Sequence, residues 1–253
     1  MGCTITKNDT NKIIKKRPSP NCGFIKEYYH TNQKALPSRI RDLFENYLND
    51  STTKKTTVDL KFIRITEFYL KSLQIILPHY TQLRKLDLWK THLGSQGAIS
   101  IFSLFQSFPH LMFLSVADNQ IDYQGIKKLT KKFHILQELE TLQLHFNHFT
   151  PESTELLACK LKILVSLKIL CLDECEMAGE SLGKLLVSIS HVKNMERVSM
   201  DYNYIGKTNS DLIVELVHNM KSLKRFSLQN CQINQDIQEV LNVKYPGIIF
   251  TFF

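Results

Sequence analysis

Apolar residues along this chain follow neither a pure helical spacing nor a plain alternation, but a compound pattern that restarts. In LRKLDLWKTHL, beginning at Leu83, leucine holds the first, fourth, sixth and eleventh places. The spacing returns in LMFLSVADNQI at Leu111, LETLQLHFNHF at Leu139, LKILCLDECEM at Leu167, MERVSMDYNYI at Met195 and LKRFSLQNCQI at Leu223. Each start lies 28 residues after the last (111 − 83 = 28). One step earlier, KTTVDLKFIRI at Lys55 keeps Val58, Leu60 and Ile65 in the same places. The first half of a copy alternates like a strand, with Leu86 and Leu88 on one side and Lys85, Asp87 and Trp89 on the other. The second half takes helical spacing, as in Ile101, Phe105 and Phe108, and then Leu129, Phe133 and Leu136 in the same slots. Neither half buries its apolar face alone, so consecutive copies must stack and share a core.

Seven copies of L-x-x-L-x-L-x-x-N/C-x-L resemble the leucine-rich repeat, and the 28-residue period with a helical second half is similar to its ribonuclease-inhibitor-like class. The resemblance covers about residues 55–250 and implies an α/β solenoid. In such a horseshoe a parallel β-sheet lines the concave side and helices the convex side. The expected organisation is a basic, flexible leader over 1–35, an amino-terminal capping helix and linker over 36–54, seven repeats over 55–246 and a closing strand over 247–253. The cap is read from LPSRIRDLFENYLND, which sets Ile40, Leu43, Phe44, Tyr47 and Leu48 on one helical face. An eighth repeat would open at position 251, after the break at Tyr245-Pro246-Gly247. The ninth slot holds Ile63, Thr91, Asn119, Asn147, Cys175, Asn203 and Cys231, and the side chains there that carry donors are placed to satisfy backbone carbonyls at the turn leaving each strand.

Composition narrows the chemistry. Net charge is +8, but lysine supplies 25 of the 32 basic residues, against 7 arginines. A phosphate-gripping surface favours the arginine fork. Cysteines at 3, 22, 159, 171, 175 and 231 form no C-x-x-C pair, and no apolar leader precedes them, so they read as reduced thiols of a cytoplasmic protein. No phosphate loop, nucleophile elbow or zinc-protease motif is present, and the carboxylates of LDECE and the histidines of HFNH fall into repeat slots that separate them. No enzyme activity, metal or cofactor is expected.

The seventh and eighth slots, with the third, are expected to line the concave face. They place there Lys85, Trp89, Phe113, Asp118, His145, Phe146, Asp173, Glu174, Arg197, Asp201, Tyr202 and Arg225. A solvated sheet face has no structural need for an indole, and Trp, Tyr and Arg dominate binding hot spots. Asp118, Asp173, Glu174 and Asp201 form an acidic patch, which points to a protein partner with a basic surface and away from nucleic acid.

The first residues stand apart. Gly2 and Thr6 fit the N-myristoylation pattern M-G-x-x-x-[ST], Cys3 is placed for palmitate, and Lys7, Lys12, Lys15, Lys16 and Arg17 suit an anionic membrane. The leading expectation is a non-enzymatic protein-binding scaffold, and the alternative is a lipid-anchored, membrane-associated adaptor in a eukaryotic cell. A small, free-standing Lys/Ile/Asn-rich array also resembles the leucine-rich-repeat effectors that intracellular bacterial pathogens deliver into host cytosol.

Overall fold

A computed structural model describes residues 22–50 and 54–253. Two helices, α1 (Cys22–Asn32) and α2 (Ser38–Asn49), open the described chain. Strands and helices then alternate: β1 (Thr57–Asp59), α3 (Glu67–Ile76), β2 (Lys85–Asp87), α4 (Gly94–Ser103), β3 (Phe113–Ser115), α5 (Tyr123–Thr130), β4 (Thr141–Gln143) and α6 (Pro151–Leu161). The series continues with β5 (Ile169–Cys171), α7 (Gly179–Ser190), β6 (Arg197–Ser199), α8 (Gly206–Val217), β7 (Arg225–Ser227), α9 (Gln235–Lys244) and β8 (Ile249–Thr251). All eight strands form one parallel sheet in chain order.

Register follows the repeat. Lys85 pairs with Phe113, Phe113 with Thr141, and the same slot continues through Ile169, Arg197 and Arg225. Fourth-slot Leu86, Leu114, Leu142 and Leu170 and sixth-slot Leu88, Val116, Leu144 and Leu172 are fully buried, facing the helices. Parallel strands stack about 4.8 Å apart while packed helices need 8–10 Å, so the sheet takes the inside of the resulting curve.

The ninth slot forms a directional ladder. Asn119 Oδ1 accepts from Thr91 N (3.1 Å) and Leu93 N (3.1 Å), while its Nδ2 donates to Leu88 O (2.7 Å). Asn147 serves the Asn119 turn in the same way, and Asn203 the Cys175 turn. At Cys175 the thiol makes only long contacts, 3.6 Å to Leu144 O and 3.5 Å to Asp173 O.

Two differences from the sequence reading concern the ends. The stretch assigned to a flexible leader through residue 35 contains α1, which buries Ile25 and Tyr29. The Tyr29 ring stacks on Phe44 of α2 (5.6 Å), and Tyr28 Oη lies 2.8 Å from Ser72 Oγ of α3. The cap is therefore a helix pair, locked to the first repeat by Tyr80 Oη donating to Leu43 O at 2.6 Å. At the other end Ile249, not residue 253, pairs with Arg225, so the last step is 24 residues (249 − 225 = 24). The Pro246-Gly247 break after α9 shortens the return and brings the strand in early.

Candidate functional site

Each strand is three residues long, spanning the third to fifth slots, and the backbone continues extended to the seventh. Side chains in slots three, five and seven therefore share the face opposite the helices. In slot three, Lys85 sets its ammonium 4.5 Å over the Phe113 ring and 3.7 Å from Asp87. Arg197 and Arg225 occupy the same slot on neighbouring strands, both exposed.

Slot seven brings Trp89 and His145 together. They lie two strands apart, yet their rings meet edge-on at 5.9 Å because the intervening slot holds only Ala117. Phe62 extends the series at 5.0 Å from Trp89, and Phe146 at 5.4 Å from His145. Among the described residues, Trp89 Nε1, His145 Nδ1 and the fully buried Ser115 Oγ have no hydrogen-bond partner. Burial pushes the His145 pKa down, against the opposing pull of Asp173, Asp118 and Asp87.

Eighth-slot residues behave differently from the expectation that they line the concave face. Asp118, Phe146, Glu174 and Tyr202 all have left-handed backbone, with φ of 52°, 57°, 49° and 58°. The chain turns out of the sheet there, so these side chains form a rim beside the face rather than its floor. Phe62, Phe146 and Tyr202 stand exposed on that rim, and Asp118 pairs with Lys90 at 3.4 Å.

The acidic patch is correspondingly divided. Asp173 accepts from Ser199 Oγ and from Asp201 N (2.9 Å). Asp201 accepts from Ser227 Oγ (2.9 Å) and Gln229 N (2.8 Å), and burial raises its pKa. Both carboxylates thus brace the next strand. Glu174 remains exposed and, with Asp118, Asp122, Phe146, His148 and Glu176, lines a depression of about 370 Å³ at the rim. A second depression of about 450 Å³ on the sheet face is lined by Cys171, Arg197, Ser199, Asp201, Arg225 and Ser227 among others.

The fifth slot was missed as a site contributor, although Asp87, Ser115, Cys171, Ser199 and Ser227 lie there between the flanking slots. Strict alternation is the signal that places them. Burial pushes the thiols of Cys171 and Cys175 up to about 12 and that of Cys231 to about 11, which suppresses the nucleophilic thiolate. Among the described residues, no three His, Cys, Asp or Glu side chains gather as a metal site, and no helix is long and apolar enough to cross a membrane. Gly2 and Cys3 lie outside the described residues.

Comparison with known proteins agrees with the repeat. The family described as Leucine Rich repeat matches residues 109–129. Protein NLRC5 of Mus musculus is 23% identical over 170 residues, 67% of this chain and 9% of that protein. The human Protein NLRC5 gives 23% over 171 residues, again 9% of its length, so the chain covers under a tenth of either relative. Among solved structures, a leucine-rich repeat protein of Leptospira interrogans is 19% identical with a TM-score of 0.47, over 70% of this chain and 39% of that one. The tropomodulin C-terminal domain of Caenorhabditis elegans is 15% identical with a TM-score of 0.47, over 73% and 92%. By its 28-residue register and its ninth-slot ladder the chain folds as a leucine-rich repeat solenoid, and one of its repeats matches that family.

Proposed function

We propose that this chain is a non-enzymatic recognition scaffold that binds a protein partner with its concave sheet and the adjoining rim. The observation that supports this reading is the ring series Phe62, Trp89, His145 and Phe146, with contacts of 5.0, 5.9 and 5.4 Å. Its two ends are open to solvent, at 57% for Phe62 and 41% for Phe146. Exposed rings backed by a rigid sheet lose little entropy when covered, which is how aromatic anchors act at interfaces. The acidic depression around Glu174 and Glu176 suits a basic group of the same partner. Affinity capture from a eukaryotic lysate, wild type beside Phe62→Ala/Phe146→Ala, tests the reading. Prey lost with the double variant supports it, and equal recovery overturns it.

A second reading, a membrane-tethered adaptor, is favoured by Gly2, Cys3 and Thr6 in the acylation pattern with five basic residues following. Labelling with an alkyne myristate in eukaryotic cells tests it, and an unlabelled Gly2 removes it. The setting we propose is the cytoplasm, or a peripheral membrane site if the chain is acylated; the alternative, delivery into a host cytosol by a bacterial secretion system, rests on the resemblance to free-standing effectors. A translocation reporter fused to the chain, giving no signal inside infected cells, would exclude it.

A further inference from the structure

Cations on the sheet side of this molecule are mostly matched. Arg39 and Lys61 share Asp59, Lys85 meets Asp87, Lys90 meets Asp118, Lys168 meets Glu140, and Lys224 meets Glu196 at 2.6 Å. Arg197 and Arg225 are different: among the described residues, neither guanidinium has a carboxylate within ion-pair distance. Glu196, the acidic neighbour in sequence, is already held by Lys224. Asp201, the acid that lines the depression, spends one oxygen on Ser227 and the other on the Gln229 backbone N–H.

The two arginines are register partners, so their backbones stand about 4.8 Å apart and present two planar forks side by side over one depression of about 450 Å³. That arrangement matches carboxylate geometry, which guanidinium grips with two parallel hydrogen bonds. We infer that Arg197 and Arg225 form a receptor for Asp or Glu side chains in an acidic segment of a protein partner. The inference rests on the concave face being the docking surface, and it names the partner's chemistry there. The carboxylate monoanion fits better than a phosphate, because Asp201 lines the same depression and would repel a second negative charge. The acidic rim around Glu174 lies past the far end of the adjoining strand β5, so the face is bipolar: a partner's acidic group goes to the third slot of β6 and β7 and its basic group toward the rim beyond β4 and β5. That polarity would set how the partner is oriented across the sheet.

The probe is a fluorescein-labelled oligoglutamate peptide, titrated against the full chain by anisotropy, beside oligoglutamine and phosphoserine peptides. Wild type is expected to bind oligoglutamate, more weakly as salt rises, and Arg197→Gln/Arg225→Gln to lose roughly tenfold or more in affinity. Both side chains are exposed, so the double variant should keep its circular dichroism and melting temperature. Unchanged affinity in that folded variant, equal binding of oligoglutamine, or tighter binding of the phosphoserine peptide would each overturn the inference. The docking reading fails separately, by equal prey recovery with Phe62→Ala/Phe146→Ala, and that capture does not depend on either arginine.

Discussion

Replacing Asn147 with alanine isolates what the ninth-slot ladder contributes. Its amide donates to Val116 O (3.0 Å) and Leu144 O (2.8 Å) and accepts from Asn119 N (3.2 Å) and Ile121 N (2.9 Å). Asn147 is buried, so alanine would leave Val116 O, Asn119 N and Ile121 N without partners where water enters poorly, and Leu144 O with only the long Cys175 contact. At about 1 kcal/mol net per bond, Asn147→Ala should cost roughly 4 kcal/mol, a large part of an ordinary domain's stability. The control is Cys175→Ala in the next repeat, where only sulfur contacts of 3.6 and 3.5 Å are lost and the expected cost is about 1 kcal/mol. Urea unfolding followed by circular dichroism measures both, with the slopes compared to verify that each remains one cooperative transition. A ladder broken in the middle could instead split the transition in two, which would also appear as a changed slope. If Asn147→Ala costs no more than Cys175→Ala, the amide is not what holds the turns.

Acid titration of the single tryptophan should report His145, because imidazolium beside an indole quenches it. Since burial lowers the folded-state pKa, the unfolded chain binds the proton first; stability is full above about pH 6.5 and falls as pH drops through the folded-state value. A fluorescence midpoint at or above that pH, or one unchanged by His145→Phe, would contradict the packing of Trp89 on His145. Thiol labelling with Ellman's reagent near neutral pH should modify exposed Cys159 and spare Cys175 and Cys231, whose thiols burial pushes up to about 12 and about 11; matching rates would show that the turns open. Asp201→Ala should cost about 1–3 kcal/mol by freeing Ser227 and Gln229, while Glu174→Ala on the exposed rim should cost close to nothing, and equal melting temperatures would refute the bracing role of Asp201.

The repeat was legible because burial writes directly into composition. Leu86, Leu114, Leu142 and Leu170 must be apolar to fill one shared core, so their 28-residue spacing gives strand, register and layer order together. The rim was not legible by that route. Asp118, Phe146, Glu174 and Tyr202 are neither glycine nor uniformly small, so nothing in their identity announces left-handed backbone; the turn is imposed by the ladder behind it. Helix α1 was hidden for a related reason: Ile25 and Tyr29 give it only two buried residues, too few for a period to show. The division of the acidic patch depends on serine and main-chain donors one strand away, and pairing across the sheet has to be seen before Asp173 and Asp201 can be told from Glu174.

The ladder's direction has a consequence for how such a chain can change over time. Each asparagine completes the turn of the repeat on its amino-terminal side, so the joints made by Asn119, Asn147 and Asn203 are one and the same joint. Removing residues 175–202 would seat Asn203 directly after Asn147 in register and replace a cysteine rung with an asparagine one. The length of this molecule is in that sense a count of interchangeable units, and gene-level slippage by one unit yields a shorter or longer surface without inventing a new contact.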